Sequence, residues 1–83
     1  MPKITVDGKS IPNLTPREFD ILYVLLQHSP RAVTREDIFQ AIGENEEKNY
    51  TRVIDIHIAK IRKKIGALRI KTIPGKGYLL STQ

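Results

Sequence analysis

Eight of the fourteen lysines and arginines in this 83-residue chain fall between residues 52 and 76, where they meet a single acid, Asp55. That stretch carries a net +7, while residues 1–51 hold six Lys/Arg against eight Asp/Glu for a net −2. A basic half joined to an acidic half suggests one face that attracts a polyanion. A solvated basic surface with no partner is the competing reading of charge alone, and the spacing of the residues bears on the choice.

An α-helix turns about 100° per residue, so Ile58, Ile61 and Ile65 all fall within roughly 40° of Ile54 and make one apolar stripe. The opposite face then carries Arg52, Val53, Ile56, Ala59, Lys60 and Lys63. His57 and Lys64 flank it on one side, Asp55 and Arg62 on the other. A solubilising face has no use for two bulky branched apolar residues among its cations. The major groove of duplex DNA does: it is about 12 Å wide, walled by phosphates and floored by base edges and thymine methyls. Lysine and arginine, Lys63 and Lys64 included, suit its walls or guanine edges, and valine and isoleucine suit its methyls. The alternative is that Val53 and Ile56 pack on another part of the same protein.

A helix in that role must be held by other elements. Ile4-Thr5-Val6, Asp7-Gly8 and Lys9-Ser10-Ile11 read as a short hairpin, with Asp-Gly supplying a positive-φ turn. Thr15-Pro16-Arg17-Glu18 reads as a capping box with proline at the first helical position. Phe19, Leu22, Leu25 and Leu26 follow as a buried stripe, and Ser29-Pro30 ends that helix. Thr34-Arg35-Glu36-Asp37 opens a second, shorter helix with Ile38, Ala41 and Ile42 on its apolar face and Gly43 as its stop. A polar, mainly acidic loop then leads to a third helix over 51–65, broken by Gly66. Arg69–Ile73 and Tyr78–Ser81 are strand candidates joined by the turn Pro74-Gly75-Lys76-Gly77. Lys76 at that tip can enter or skirt a minor groove, or be a solvated lysine on an ordinary hairpin; Gly77 would let the backbone approach a phosphate. The expected fold is α+β, a winged helix-turn-helix of three helices with a short N-terminal hairpin and a C-terminal hairpin wing. A chain of this length is expected to form one domain over 1–83.

Composition narrows the chemistry. With no cysteine, neither disulfides nor a thiolate zinc site is available. The two histidines, His28 and His57, come with no spaced carboxylate cluster. Asp55 and His57 diverge on a helix at a separation of two, so no catalytic pair and no metal site is expected, and no cofactor. His28 reads as a favourable charge at a helix C-terminus. Apolar runs are too short to span a bilayer and the N-terminus has no signal-peptide core, so a cytoplasmic protein with no membrane partner is expected. Aromatic residues are few and scattered, which argues against single-stranded RNA as the ligand.

The stretches LTPREFDILYVLL, VTREDIFQAI, RVIDIHIAKIRKKI and IKTIPGKGYLL together resemble the OmpR/PhoB-type winged-helix effector domain found at the C-terminus of many bacterial response regulators of two-component systems. The likeness spans residues 14 to 80. It implies sequence-specific binding of double-stranded DNA for transcriptional control, with Val53, Ile56 and Lys60 facing bases. Arg52, His57 and Arg62 match phosphate contacts, as do Thr72 and Tyr78 in the wing. The family often has arginine at the position of Pro74, a cation at that of Ala59 and tryptophan at that of Ile42. Members usually begin with a four-stranded sheet, where this chain has room for a hairpin. The resemblance also implies that the 43–50 loop, with Glu44, Glu46 and Glu47, can touch RNA polymerase, against the reading of a solvated loop repelled by DNA. Tandem or dimeric binding on direct repeats is implied in the same way. No receiver domain accompanies these residues, so the chain is expected to be either an excised domain or a stand-alone relative controlled by other means. A function of a different class, a winged-helix module that docks a protein through Val53 and Ile56 or through the acidic loop, stays open at this stage.

Overall fold

The computed structural model describes residues 5–6, 9–10, 14–43 and 50–81. Two short strands, β1 (Thr5–Val6) and β2 (Lys9–Ser10), pair antiparallel with Thr5 opposite Ser10 and Val6 opposite Lys9. Three helices follow, α1 (Pro16–His28), α2 (Arg35–Ala41) and α3 (Tyr50–Ile65). A short 3₁₀ turn, Ala67–Arg69, leads into a second hairpin of β3 (Ile70–Ile73) and β4 (Gly77–Leu80). The order is that of a winged helix-turn-helix. The expected turn at Asp7-Gly8, with Ile4 and Ile11, lies outside the described residues.

Both expected N-caps form. The Thr15 hydroxyl accepts from the Glu18 N–H at 3.2 Å while the Glu18 carboxylate accepts from the Thr15 N–H at 3.0 Å, so the two groups close a full capping box on α1. Thr34 accepts from the Asp37 N–H at 3.0 Å and caps α2. At the far end of α1 the His28 ring nitrogen lies 2.9 Å from the Val24 carbonyl. Gly66 ends α3 with φ +107°, a backbone conformation that costs glycine little.

The core lies where the three helices and β4 meet. Ile21, Leu22, Leu25, Ile38, Ile54, Ile58 and Ile61 are fully buried there. Ile65 packs against this core only in part. Two stripes differ from expectation. On α1, Ile21 and Val24 are buried and Leu26 is 40% exposed, because the inward arc runs from Leu22 through Glu18, Leu25 and Ile21 to Val24 and leaves Leu26 past its other edge. That arc contains Glu18, the one buried charged side chain among the described residues. On α2, Phe39 is buried in place of Ala41, which is exposed.

The wing is seated by backbone as well as by side chains. Val33, in the connection between α1 and α2, forms a bridge with Tyr78: each N–H donates to the other's carbonyl, at 2.7 and 2.9 Å. The Ser29 hydroxyl donates to the Leu80 carbonyl at 2.8 Å. Gly77 has φ +103°, and a Cβ added to it would stand 2.0 Å from the Val33 carbonyl oxygen. The close approach that Gly77 permits is therefore to the protein's own backbone, which corrects the expectation of a phosphate there.

Candidate nucleic-acid interface

The two sides of α3 separate cleanly. Ile54, Ile58 and Ile61 have no exposed surface, and across the helix Arg52, Ala59, Lys60 and Lys63 are all exposed. Ile56 lies among them with 46% of its surface open. Burying an isoleucine is worth about 1.5–3 kcal/mol, so a surface that covered this one would gain that much. Val53 is half-buried. His57 is also half-buried. Lys76 stands exposed at the turn of the wing, where its N–H donates to the Ile73 carbonyl at 2.9 Å.

Three residues expected to contact phosphates have partners within the protein. The Arg62 guanidinium donates to the Ile70 carbonyl at 2.9 and 3.1 Å and to the Thr72 hydroxyl at 2.9 Å. It ties α3 to β3. Tyr78 is buried, and its hydroxyl donates to the Asp55 carboxylate. Lys64 donates to the Glu18 carboxylate at 2.5 Å, which turns it toward α1. Thr72 remains exposed in the wing, paired across the strands with Tyr78. The structure thus brings Arg52, Ile56, Lys60 and Lys63 together on one open face and draws Arg62, Lys64 and Tyr78 into the frame that supports it. Glu44, Glu46 and Glu47 lie outside the described residues.

The frame has two carboxylates at its joints. Burial raises the pKa of Glu18, but the hydrogen bond from Lys64 and those from Thr15 outweigh it and hold the carboxyl below its ordinary 4.5. Asp55 shows the same balance: desolvation raises it, and the bonds from Tyr78 and Arg35 bring it below the ordinary 3.8. The Arg35 Nε donates to that carboxylate at 2.7 Å, an ion pair that raises the arginine's pKa. Burial first, and then the bond to Asp55, raise that of the Tyr78 phenol. The guanidinium carbons of Arg35 and Arg62 lie over the Tyr78 ring, 5.1 and 5.5 Å from its centre, within cation–π range. Sequence reasoning passed over Arg35 and saw in Asp55 only a flanking residue. The available signal was that Asp55 is the lone acid in a run of cations.

Among the described residues no group of histidines and carboxylates could hold a metal ion, and no helix is long and apolar enough to cross a membrane. An open helix face flanked by a hairpin wing defines a winged-helix domain of the kind that presents its third helix to a ligand. Residues 8–80 match the family described as the C-terminal domain of transcriptional regulatory proteins, and the chain belongs to that family. It is 39% identical over 72 residues to the alkaline phosphatase synthesis transcriptional regulatory protein PhoP of Bacillus subtilis, covering 81% of this chain and 30% of that protein. To the transcriptional regulatory protein CpxR of Escherichia coli it is 37% identical over 79 residues, covering 89% of this chain and 34% of CpxR. The chain spans about a third of the length of the curated relatives it matches. Among solved structures, the RstA DNA-binding domain of Klebsiella pneumoniae in complex with the RstA box superposes with a TM-score of 0.80 at 27% identity, covering 98% of this chain and 84% of that one. The DNA-binding domain of B. subtilis CssR does so with a TM-score of 0.75 at 32% identity, covering 92% and 88%.

Proposed function

We propose that this chain is a sequence-specific duplex DNA-binding domain of a transcriptional regulator, with α3 in the major groove and the β3–β4 wing against the adjoining backbone or minor groove. The observation that carries the reading is the exposed Ile56 ringed by Arg52, Lys60 and Lys63, back to back with three fully buried isoleucines. Val53, Ile56 and Lys60 face the bases. Arg52, His57, Lys63 and Thr72 serve the phosphates, and Lys76 leads the wing. Arg62, Lys64 and Tyr78 belong to the supporting frame, and any phosphate contact they make is additional to it. Solved DNA complexes among the similar structures support this reading.

Binding as tandem copies on direct repeats, and contact with RNA polymerase through Glu44, Glu46 and Glu47, extend the proposal along the family resemblance. The primary test is selection of bound sequences from a random duplex pool, followed by titration at several salt concentrations. A recovered motif and a log–log salt slope of about −0.9 per phosphate neutralised are expected. Lys60→Ala should weaken the selected sequence more than random DNA, and Lys63→Ala should weaken both alike. Absence of retardation at low salt would instead favour a protein-docking role for the same face. A footprint long enough for two half-sites would establish the tandem arrangement.

A further inference from the structure

Asp55 sits on the DNA-reading helix but looks away from its open face. Its carboxylate accepts from the Tyr78 hydroxyl on β4 and from the Arg35 Nε on α2, the latter at 2.7 Å. A terminal nitrogen of Arg35 also reaches the Tyr78 hydroxyl at 3.4 Å. Arg62, over the same ring, is bonded to Ile70 and Thr72 on the other wing strand. One carboxylate thus joins α2, α3 and β4, and Arg62 adds β3 to the same cluster. The backbone of Tyr78 itself is fixed to Val33 by two hydrogen bonds, and the Leu80 carbonyl at the base of the hairpin accepts from the Ser29 hydroxyl. The backbone thus seats the wing on the α1–α2 connection, and the Asp55 contacts tie that seated strand to α3 through the Tyr78 side chain.

We propose that Asp55 is a positioning residue for DNA recognition, resting on the reading above. It fixes the angle between wing and α3, so that both can engage only a duplex whose groove geometry suits that angle. It also neutralises the half-buried Arg35, its ion-pair partner at 2.7 Å, which restrains binding to duplex of any sequence. The two roles separate experimentally. Asp55→Asn removes the charge and weakens the clasp. Tyr78→Phe keeps the ring and the charge balance and removes only the hydroxyl that Asp55 holds.

The test measures affinity for the selected sequence and for random duplex across a salt series, with thermal melts showing each variant folded at the assay temperature. Tyr78→Phe should lower the ratio of selected to random affinity by about fivefold to tenfold, the scale of one net hydrogen bond, with an unchanged salt slope. Asp55→Asn should lower the ratio at least as far, bind random duplex more tightly than wild type, and steepen the salt slope by about one. The double variant should lose little more discrimination than Asp55→Asn alone, since both substitutions break one clasp. If wild type discriminates and both single variants keep its ratio within about twofold, Asp55 has no part in recognition. If Tyr78→Phe weakens both duplexes equally, the hydroxyl serves a phosphate and the proposal is overturned. If wild type binds no duplex, the DNA reading itself fails and takes this inference with it.

Discussion

Two carboxylates tie α3 to its neighbours on different sides, Glu18 reaching it from α1 and Asp55 reaching out from it to α2 and β4, and their surroundings could hardly differ more. Glu18, 1% exposed, caps the first turn of α1 and holds Lys64 from beneath. Asp55 has a side chain 45% exposed and holds Arg35 and Tyr78 at the edge of the wing. Each carboxyl is held below its ordinary pKa by its partners. The difference lies in what removal leaves behind. Taking a partner from a buried pair strands a charge or polar group away from water, at a cost of several kcal/mol, whereas an exposed pair exchanges its partner for solvent and loses about 1 kcal/mol or less. Similar chemistry therefore supplies stability at Glu18 and geometry at Asp55.

The comparison can be sharpened by substitutions of decreasing effect. Gly77→Ala tests the wing's backbone seat, which neither carboxylate can replace. Its Cβ would collide with the Val33 carbonyl at a strained φ, and a loss of about 3 kcal/mol or more is expected in denaturant unfolding. Lys64→Ala should cost about 2–4 kcal/mol, since it leaves the buried Glu18 carboxylate without its cation. A loss near that expected of a surface ion pair would erase the distinction drawn between the two sites.

Acid titration follows from the same bonds. Both carboxyls have lower pKa values folded than unfolded, so their contribution is fully present above the ordinary values of 4.5 and 3.8 and is lost as pH falls through the folded values. Melting temperature should fall on that acid limb. In Glu18→Gln the limb should start lower at neutral pH and be shallower. At the small end, Asp55→Asn should shift unfolding free energy by about 1 kcal/mol or less. A much larger shift would show that this exposed clasp is part of what holds the fold.

Much of this was legible in the sequence because local rules govern it. The caps at Thr15 and Thr34 and the break at Gly66 rest on residues within a turn of one another. The isoleucine spacing of α3 fixed its inward side, and with it the open face of Arg52, Ile56, Lys60 and Lys63. What escaped was decided over distance. Glu18 read as a cap, and only the packing of α1 on α3, 46 residues on, makes it the partner of Lys64. Arg62 and Tyr78 read as ligand contacts by position, and the approach of the wing to α3 gives them partners at home. At Leu26 the spacing and the inward arc of α1 disagree, because aliphatic residues lie on several sides of that helix and tertiary contacts set the direction of the core.

The bridge between Val33 and Tyr78 has a consequence for assembly. At Tyr78, β4 meets β3 along one side and Val33 along the other, so its outer margin is already occupied. Among the described residues β3 pairs with no strand but β4, and it presents exposed Lys71 and Thr72 in place of an apolar row. Charged, short margins are poor templates for annealing between chains. Copies of this domain lying side by side would therefore meet through side chains and remain separable, with no continuous sheet to bind them to one another.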